Sequence, residues 1–310
     1  MTPTPPPGAM FDWGPRGRLH PVASAALFVM ASLLVNLIYG LAAFALLDEL
    51  ADQAGVLSDE DVKLLIVGAG FLPLVLLLTA FFHRTLDRLP YPLLWQPQPD
   101  RPLRALAAGC AAGGLLLAGA LTLIGSFGGL GGVSVGGIGQ RDGCPAALLV
   151  SLYALGFLIQ SGTEEIVFRG YLLRRLGVWR GGAAALVGSS VLFGGAHGFN
   201  PAGSWLPVVN TVLIGLLLGL VRVRYSLIAA VGVHAGWNFL LSLGQVPVSG
   251  FALPGLVKLE LRGTPFLSGG DYGIEGSLVV TGLIGIACLA VLWLPGGCSL
   301  NRKAWWWPPR

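Results

Sequence analysis

Long apolar runs constrain this sequence more than any other feature. Several runs of about 20 residues contain almost no charged side chain, and this is the length that an α-helix needs to cross about 30 Å of hydrocarbon. Only 11% of the 310 residues are charged, whereas a soluble domain has about 25% charged residues. The chain is therefore predicted to be an integral membrane protein that folds as one polytopic helical bundle and contacts membrane lipid.

The positions of the apolar runs predict an all-α fold with about eight transmembrane spans. The spans are expected at 21–47, 63–82, 103–125, 145–168, 183–200, 205–221, 226–243 and 276–296. The Pro-rich, basic segment 1–20 is predicted to be disordered, the bundle to occupy 21–296, and residues 297–310 to form a cytoplasmic tail. The glycine-rich segment 126–139, SFGGLGGVSVGGIG, is expected to be a flexible loop on the outer side.

The distribution of Lys and Arg predicts the orientation of the bundle. If the N-terminus is cytoplasmic, all but four of the 19 Lys and Arg residues fall in cytoplasmic segments, the exceptions being Lys63, Arg141, Lys258 and Arg262. This asymmetry follows the positive-inside rule and places both termini in the cytoplasm. The basic residues are not clustered with aromatic ones, so no nucleic-acid partner is expected.

Two adjacent carboxylates interrupt the fourth predicted span, in the segment SGTEEIVFRG. An acidic residue near the centre of a membrane helix costs about 2.5–3.5 kcal/mol, so it needs a partner or a function. Glu165 and Arg169 are four residues apart with the acid first, which is the favourable order for an ion pair on a helix. Glu164 lies on a different face of the helix and is therefore the candidate catalytic carboxylate.

Two histidines also fall within apolar spans. His197 follows Phe193 by four residues and His234 precedes Asn238 by four, so the members of each pair share one helical face. At 1.5 Å per residue, Glu164, both histidines and Asn238 are expected at about 15–21 Å from the cytoplasmic turns. Three segments that are distant in sequence are therefore predicted to meet in one site.

A carboxylate, two imidazoles and an amide at one depth suit peptide hydrolysis. A carboxylate beside a histidine can take a proton from water as a general base, and a second histidine with an asparagine amide can donate to an oxyanion. Glu164, His197 and His234 could instead ligate zinc, although the sequence contains no HExxH motif. Metal-free and zinc-dependent hydrolysis are both open at this point.

These residues resemble the three motifs of the CPBP family, the CAAX-protease and bacteriocin-processing membrane endopeptidases. The EExxxR motif corresponds to Glu164, Glu165 and Arg169, the FxxxH motif to Phe193 and His197, and the HxxxN motif to His234 and Asn238. The resemblance covers about residues 145–243, which become the expected catalytic core of the bundle. It implies a peptidase of glutamic or metallo type in an eight-helix membrane fold.

The resemblance also implies a role for each motif residue. Glu164 is expected to activate water, His197 to assist it, and His234 with Asn238 to stabilise the oxyanion. The supporting residues are expected to be Glu165, Arg169 and Phe193. No cofactor is firmly implied, and a metal-free mechanism is favoured because Arg169 engages Glu165 and asparagine is a poor zinc ligand.

The resemblance leaves several substrates open. Eukaryotic members remove the last three residues of a prenylated Cys-a-a-X protein, and bacterial relatives are associated with bacteriocin maturation, self-immunity or protein sorting. A membrane-associated or lipidated peptide or protein is the expected substrate. The expected location is the bacterial plasma membrane, with the active site toward the cytoplasmic side.

Two other classes of protein would use intramembrane Glu and His residues differently. A transporter could relay protons through them, but it predicts internal repeats and paired broken helices, which the sequence does not show. A non-catalytic immunity protein predicts loss of Glu164 or of a histidine, and none of these residues is lost. The endopeptidase is therefore the favoured hypothesis.

Overall fold

The fold is mostly helical over the part of the chain that can be described. The structure, a computed structural model, describes residues 17–54, 67–68, 70–88, 94–95, 98–140 and 146–293. Residues 1–16 of the segment predicted to be disordered, and the whole predicted tail 297–310, lie outside these ranges. Arg18 lies within them and donates its backbone N–H to the carbonyl oxygen of Leu86.

The helices follow the apolar runs of the sequence. They are α1 (Pro21–Ala54), α2 (Leu72–Phe81), α3 (Pro102–Ser126), α4 (Ala146–Glu165), α5 (Leu173–His197), α6 (Trp205–Arg224), α7 (Leu227–Leu243), α8 (Pro265–Ser268) and α9 (Leu278–Trp293). The π-helical segments Phe82–Leu86 and Ile166–Leu172 continue α2 and α4, and short 3₁₀ turns cover Gly137–Gln140, Gly270–Tyr272 and Ile274–Gly276. Proline stands in the first turn of α2, α3 and α8, where its missing N–H costs no helical hydrogen bond.

Helix length and composition agree with a membrane protein. In the described ranges, four helical segments are long and apolar enough to cross a membrane: Pro21–Glu49, Pro102–Ser126, Ala146–His197 and Trp205–Arg224. The shorter apolar segments Leu72–Leu86, Leu227–Leu243 and Leu278–Trp293 overlap three further predicted spans. Large apolar side chains such as Leu41, which is 67% exposed, face outward, as they do where lipid surrounds a protein. The helical membrane bundle is confirmed, while the number of spans and the orientation stay predictions.

A corner in the helical path, at Gly181, separates the fourth and fifth predicted spans. Helical structure continues from α4 through the π-helical segment into the first part of α5, and Gly181 then breaks α5 with a φ of 81°. Glycine adopts positive φ readily because it has no Cβ. The fifth predicted span, 183–200, therefore begins just after this corner.

Two predictions need correction. The described chain is mostly but not purely α-helical, and part of the segment 126–139 is a β-strand and not a flexible loop. This segment contains strand β1 (Leu130–Val135), which pairs antiparallel with β2 (Val257–Leu261). Val133 and Val135 lie opposite Leu259 and Val257, so one face of the two-stranded sheet is apolar. The alternation is short and interrupted by glycine, and its partner strand lies far along the chain, so the sequence pattern alone did not show it.

Two glycine pairs bring α3 and α7 into backbone contact. Gly109 and Gly113 of α3 face Gly232 and Gly236 of α7, and a Cβ at any of the four positions would collide with backbone atoms of the other helix. Small residues at four-residue spacing allow this close packing between membrane helices. His234 lies between the two glycines of α7, so the crossing sets the position of one candidate site residue.

We expect Gly236→Ala to lower the free energy of unfolding by about 1–3 kcal/mol, the usual cost of overpacking. The reason is that the added methyl group would meet the backbone of Cys110. Gly282→Ala in α9 is the matched control, since a Cβ there has no atom within 4 Å. Denaturant unfolding in detergent micelles measures both variants, and equal stabilities would contradict the close crossing.

Candidate active site

A buried ion pair forms the base of the candidate site. Arg169 Nη1 lies 2.8 Å from Glu165 Oε1, and both side chains are fully buried. This is the pair that the four-residue spacing predicts. Arg169 also donates from Nη2 to the carbonyl oxygen of Gly215 at 3.1 Å. A guanidinium group that is removed from water needs such partners, and these contacts connect the end of α4 to α6.

The ion pair lies where regular α-helix gives way to a π-helical turn. Glu165 is the last residue of α4, and Arg169 lies within the π-helical segment Ile166–Leu172. Such turns inside helices are frequent at functional sites. The sequence indicated the two acids and the arginine, but it did not indicate the wider turn that carries the arginine.

Phe193 packs between Arg169 and His197 and orients the histidine. The guanidinium carbon of Arg169 lies 4.1 Å from the centroid of the Phe193 ring, and the ring of His197 lies 4.5 Å away, centroid to centroid. The carbonyl oxygen of Phe193 lies 2.9 Å from His197 Nδ1. Because a carbonyl oxygen only accepts, Nδ1 carries the hydrogen. In neutral His197, Nε2 is therefore an acceptor.

His234 is oriented by Glu165, the carboxylate that also binds Arg169. His234 Nδ1 lies 3.0 Å from Glu165 Oε1, and this oxygen also accepts from Arg169 Nη1. A carboxylate oxygen accepts, so His234 donates from Nδ1. Sequence analysis assigned Glu165 to Arg169 alone and did not predict the contact with His234.

Both histidines turn their Nε2 atoms toward Glu164. Glu164 Oε2 lies 3.9 Å from His197 Nε2 and 3.8 Å from His234 Nε2. The other carboxylate oxygen, Oε1, accepts from the side-chain amide of Gln160, one turn earlier on α4. The distances to the histidines exceed a direct hydrogen bond, and Glu164 Oε2 is buried without a hydrogen-bond partner. A candidate general base therefore faces two imidazoles with an unsatisfied acceptor, which a bound water or a substrate group would satisfy.

Asn238 lies one turn after His234 on α7, and both line a cavity that also includes His197. This cavity leaves about 30 Å³ in which the centre of a water molecule can lie. One water needs at least about 10–15 Å³ by this measure. The cavity therefore admits water, and Glu164 is not among the residues that line it.

Glu275 lines the same cavity and was missed by the sequence analysis. It is 4% exposed, and its carboxylate accepts from Trp237 Nε1 at 2.9 Å. In the sequence it is a single acid just before the predicted span 276–296, where a solvated carboxylate is also expected. Only its burial distinguishes it from an ordinary residue at the end of a span.

The donor atoms named for zinc do not have the spacing of a tetrahedral site. Ligand atoms that lie about 2.0–2.2 Å from one zinc ion in tetrahedral geometry are about 3.3–3.6 Å apart, whereas Glu164 Oε2 lies 3.9 and 3.8 Å from the Nε2 atoms of His197 and His234. Within the described ranges, no group of three or more His, Cys, Asp or Glu residues could hold a metal ion. This arrangement therefore does not fit zinc.

Comparison with known protein families agrees with the motifs. Residues 146–240 match the family model described as type II CAAX prenyl endopeptidase Rce1-like, and all the candidate site residues from Glu164 to Asn238 lie within the match. No curated protein and no solved structure gives a significant match. The resemblance to the CPBP family is thereby confirmed. The chain is an integral membrane protein whose residues 146–240 match a family of CAAX-protease-like endopeptidases.

We expect Arg169→Met to lower the free energy of unfolding by about 3–5 kcal/mol, the cost of leaving a buried partner charge uncompensated. Arg262→Met is the matched control. Arg262 and Glu260 also form an ion pair, at 3.0 Å, but their side chains are 64% and 45% exposed, and exposed pairs contribute only about 0–1 kcal/mol. Denaturant unfolding of both variants measures the difference, and losses of equal size would contradict the structural role of the buried pair.

Proposed function

We propose that this protein is an intramembrane endopeptidase in which Glu164 activates the attacking water. The observation that carries the proposal is that His197 Nε2 and His234 Nε2 lie 3.9 and 3.8 Å from the same oxygen, Glu164 Oε2. The family match supports a peptide bond as the bond that is cleaved. A water molecule held among these three groups would be close to its base before the substrate arrives.

Hydrolysis in this site needs two proton transfers. Glu164 takes a proton from water while the water oxygen bonds to the carbonyl carbon of the scissile peptide. The resulting oxyanion accepts hydrogen bonds from the Asn238 amide and, when His234 is an imidazolium, from His234 Nε2–H. Protonated Glu164 then gives its proton to the leaving nitrogen as the C–N bond breaks, which yields a carboxylic acid and an amine.

The remaining groups hold this geometry. The bond from His197 Nδ1–H to the carbonyl oxygen of Phe193 leaves Nε2 of the neutral ring to accept a hydrogen of the same water. Glu165 receives both Arg169 and His234, so it orients the second imidazole and is not available as a base. We propose a metal-free reaction because the donor spacing does not fit zinc and these residues already supply a base and oxyanion donors.

The proposed substrate is a membrane-associated or lipidated peptide or protein whose scissile bond reaches the cytoplasmic side. This orientation rests on the distribution of Lys and Arg, which predicts that both termini lie in the cytoplasm. We propose the bacterial plasma membrane as the location. A prenylated C-terminus and other membrane-associated peptides are distinguished by the positions of the new termini that the enzyme generates.

We expect Glu164→Gln to lower the rate of proteolysis by at least about 10²–10⁴-fold, the usual contribution of a general base, because an amide cannot take the proton of water. Mass spectrometry of membrane-protein termini, in cells that carry either the wild type or the variant, measures the loss and identifies the substrate. Glu260→Gln changes an exposed carboxylate on β2 and should cleave like the wild type. Full cleavage by Glu164→Gln would refute the proposed base.

We expect cleavage by the purified protein in proteoliposomes to persist after treatment with EDTA or 1,10-phenanthroline. The physical reason is that the proposed reaction draws its base and its oxyanion donors from side chains alone. Elemental analysis of the active protein should show metal far below one ion per chain. Loss of activity on chelation, with recovery on addition of zinc, would overturn the metal-free mechanism.

A further inference from the structure

Glu275 is a buried carboxylate that the proposed mechanism does not use. It lies in the 3₁₀ turn Ile274–Gly276 before α9 and lines the cavity together with His197, His234 and Asn238. Burial of a carboxylate in a membrane protein is costly unless the group is hydrogen-bonded. The groups that donate hydrogen bonds to the Glu275 carboxylate therefore indicate its role.

Three neutral donors surround the Glu275 carboxylate. Trp237 donates from Nε1 to Oε1 at 2.9 Å, and Ser249 donates to Oε2 from its backbone N–H at 2.6 Å and from its hydroxyl at 3.0 Å. A carboxylate can accept all three because both of its oxygens are acceptors. A glutamine could not, since its NH₂ group would face a donor on one side.

The main chain around Glu275 is also held in place. Asn210 of α6 donates its side-chain N–H groups to the carbonyl oxygens of Glu275 and Ser277 at 2.7 and 2.8 Å. The hydroxyl of Thr281 in turn donates to Asn210 Oδ1 at 2.6 Å. Hydrogen bonds from α6 and α9 therefore fix the turn that holds the Glu275 carboxylate beside Trp237.

Trp237 connects the fixed Glu275 carboxylate to the candidate site. It stands directly before Asn238 and three residues after His234 on α7, and its side chain is buried. The glycine contacts with α3 set how closely α7 approaches. The bond from His234 to Glu165 fixes one point on α7 and the bond from Trp237 Nε1–H to Glu275 fixes a second, so both oppose a rotation that would move Asn238 and His234.

We infer that Glu275 is a positioning residue for peptide hydrolysis, acting through Trp237 to hold α7 in the rotation that directs Asn238 and His234 at the reacting carbonyl. The inference rests on the proposed function of the Glu164 site. A rotated α7 would weaken hydrogen bonds that form fully only in the transition state, so loss of the carboxylate lowers kcat and leaves KM unchanged.

The kinetic test compares Glu275→Met, which removes both acceptor oxygens, with Glu260→Met. Membranes from cells that lack the protein supply the substrates, and mass spectrometry of new termini gives the rate as the amount of membrane is varied. We expect kcat of Glu275→Met to fall by about 10–100-fold with apparent KM within about twofold of the wild-type value, while Glu260→Met matches the wild type. Unchanged kcat in Glu275→Met, or a loss confined to KM, would overturn the inference.

A second variant separates positioning from loss of folding. Trp237→Phe keeps an aromatic ring but removes the N–H whose bond Glu275 accepts, together with part of the indole. If Glu275 acts through Trp237, this variant lowers kcat comparably and the double variant loses little more than either single variant. Losses that multiply in the double variant would show that Glu275 acts by another route.

A spectroscopic measurement tests the contact independently of activity. In protein labelled with ¹⁵N-tryptophan, the Trp237 indole resonance is the one missing from Trp237→Phe, and it should shift in Glu275→Met but not in Glu260→Met. An unshifted resonance would overturn the inference even if activity fell. A wild-type protein that cleaves no membrane protein would instead refute the proposed function, and the indole resonance would still report whether Glu275 holds Trp237.

Discussion

The ion pair between Glu165 and Arg169 is the interaction on which the rest of the site depends. Neither charge reaches solvent, so each requires the other in a hydrocarbon environment. The same glutamate oxygen receives His234, and the arginine reaches the carbonyl oxygen of Gly215 and the ring of Phe193. One pair therefore joins α4, α5, α6 and α7 at the level where the candidate catalytic groups meet.

The two adjacent glutamates differ in environment and not in chemistry. Successive residues on a helix point in different directions, so Glu165 enters the protein interior while the Glu164 side chain keeps 26% of its surface exposed. Glu165 Oε1 accepts from a cation and an imidazole, whereas Glu164 Oε2 faces two imidazoles without a hydrogen bond to either. Environment thus separates a supporting carboxylate from one that can exchange a proton, a separation that acid–base catalysis requires.

Helix α7 carries two of the four proposed catalytic residues, and three kinds of contact hold it. Gly232 and Gly236 bring its backbone against α3, the bond from His234 to Glu165 joins it to α4, and the bond from Trp237 to Glu275 joins it to the segment before α9. The glycines set how closely α7 approaches, and the two hydrogen bonds both oppose its rotation. The irregular segment between α7 and α9, which the sequence presented as a simple connection, supplies one of these two bonds.

The sequence by itself determined the properties that depend on local pattern. Apolar run length set the membrane class and the helices, and four-residue spacings set the pairing of Glu165 with Arg169 and the shared faces of the FxxxH and HxxxN motifs. The pairing of β1 with β2, the contact of Glu165 with His234 and the burial of Glu275 were decided only by the tertiary structure. Periodicity defines the face of a helix on which a side chain lies, but the residue that meets it from another element depends on how the helices pack.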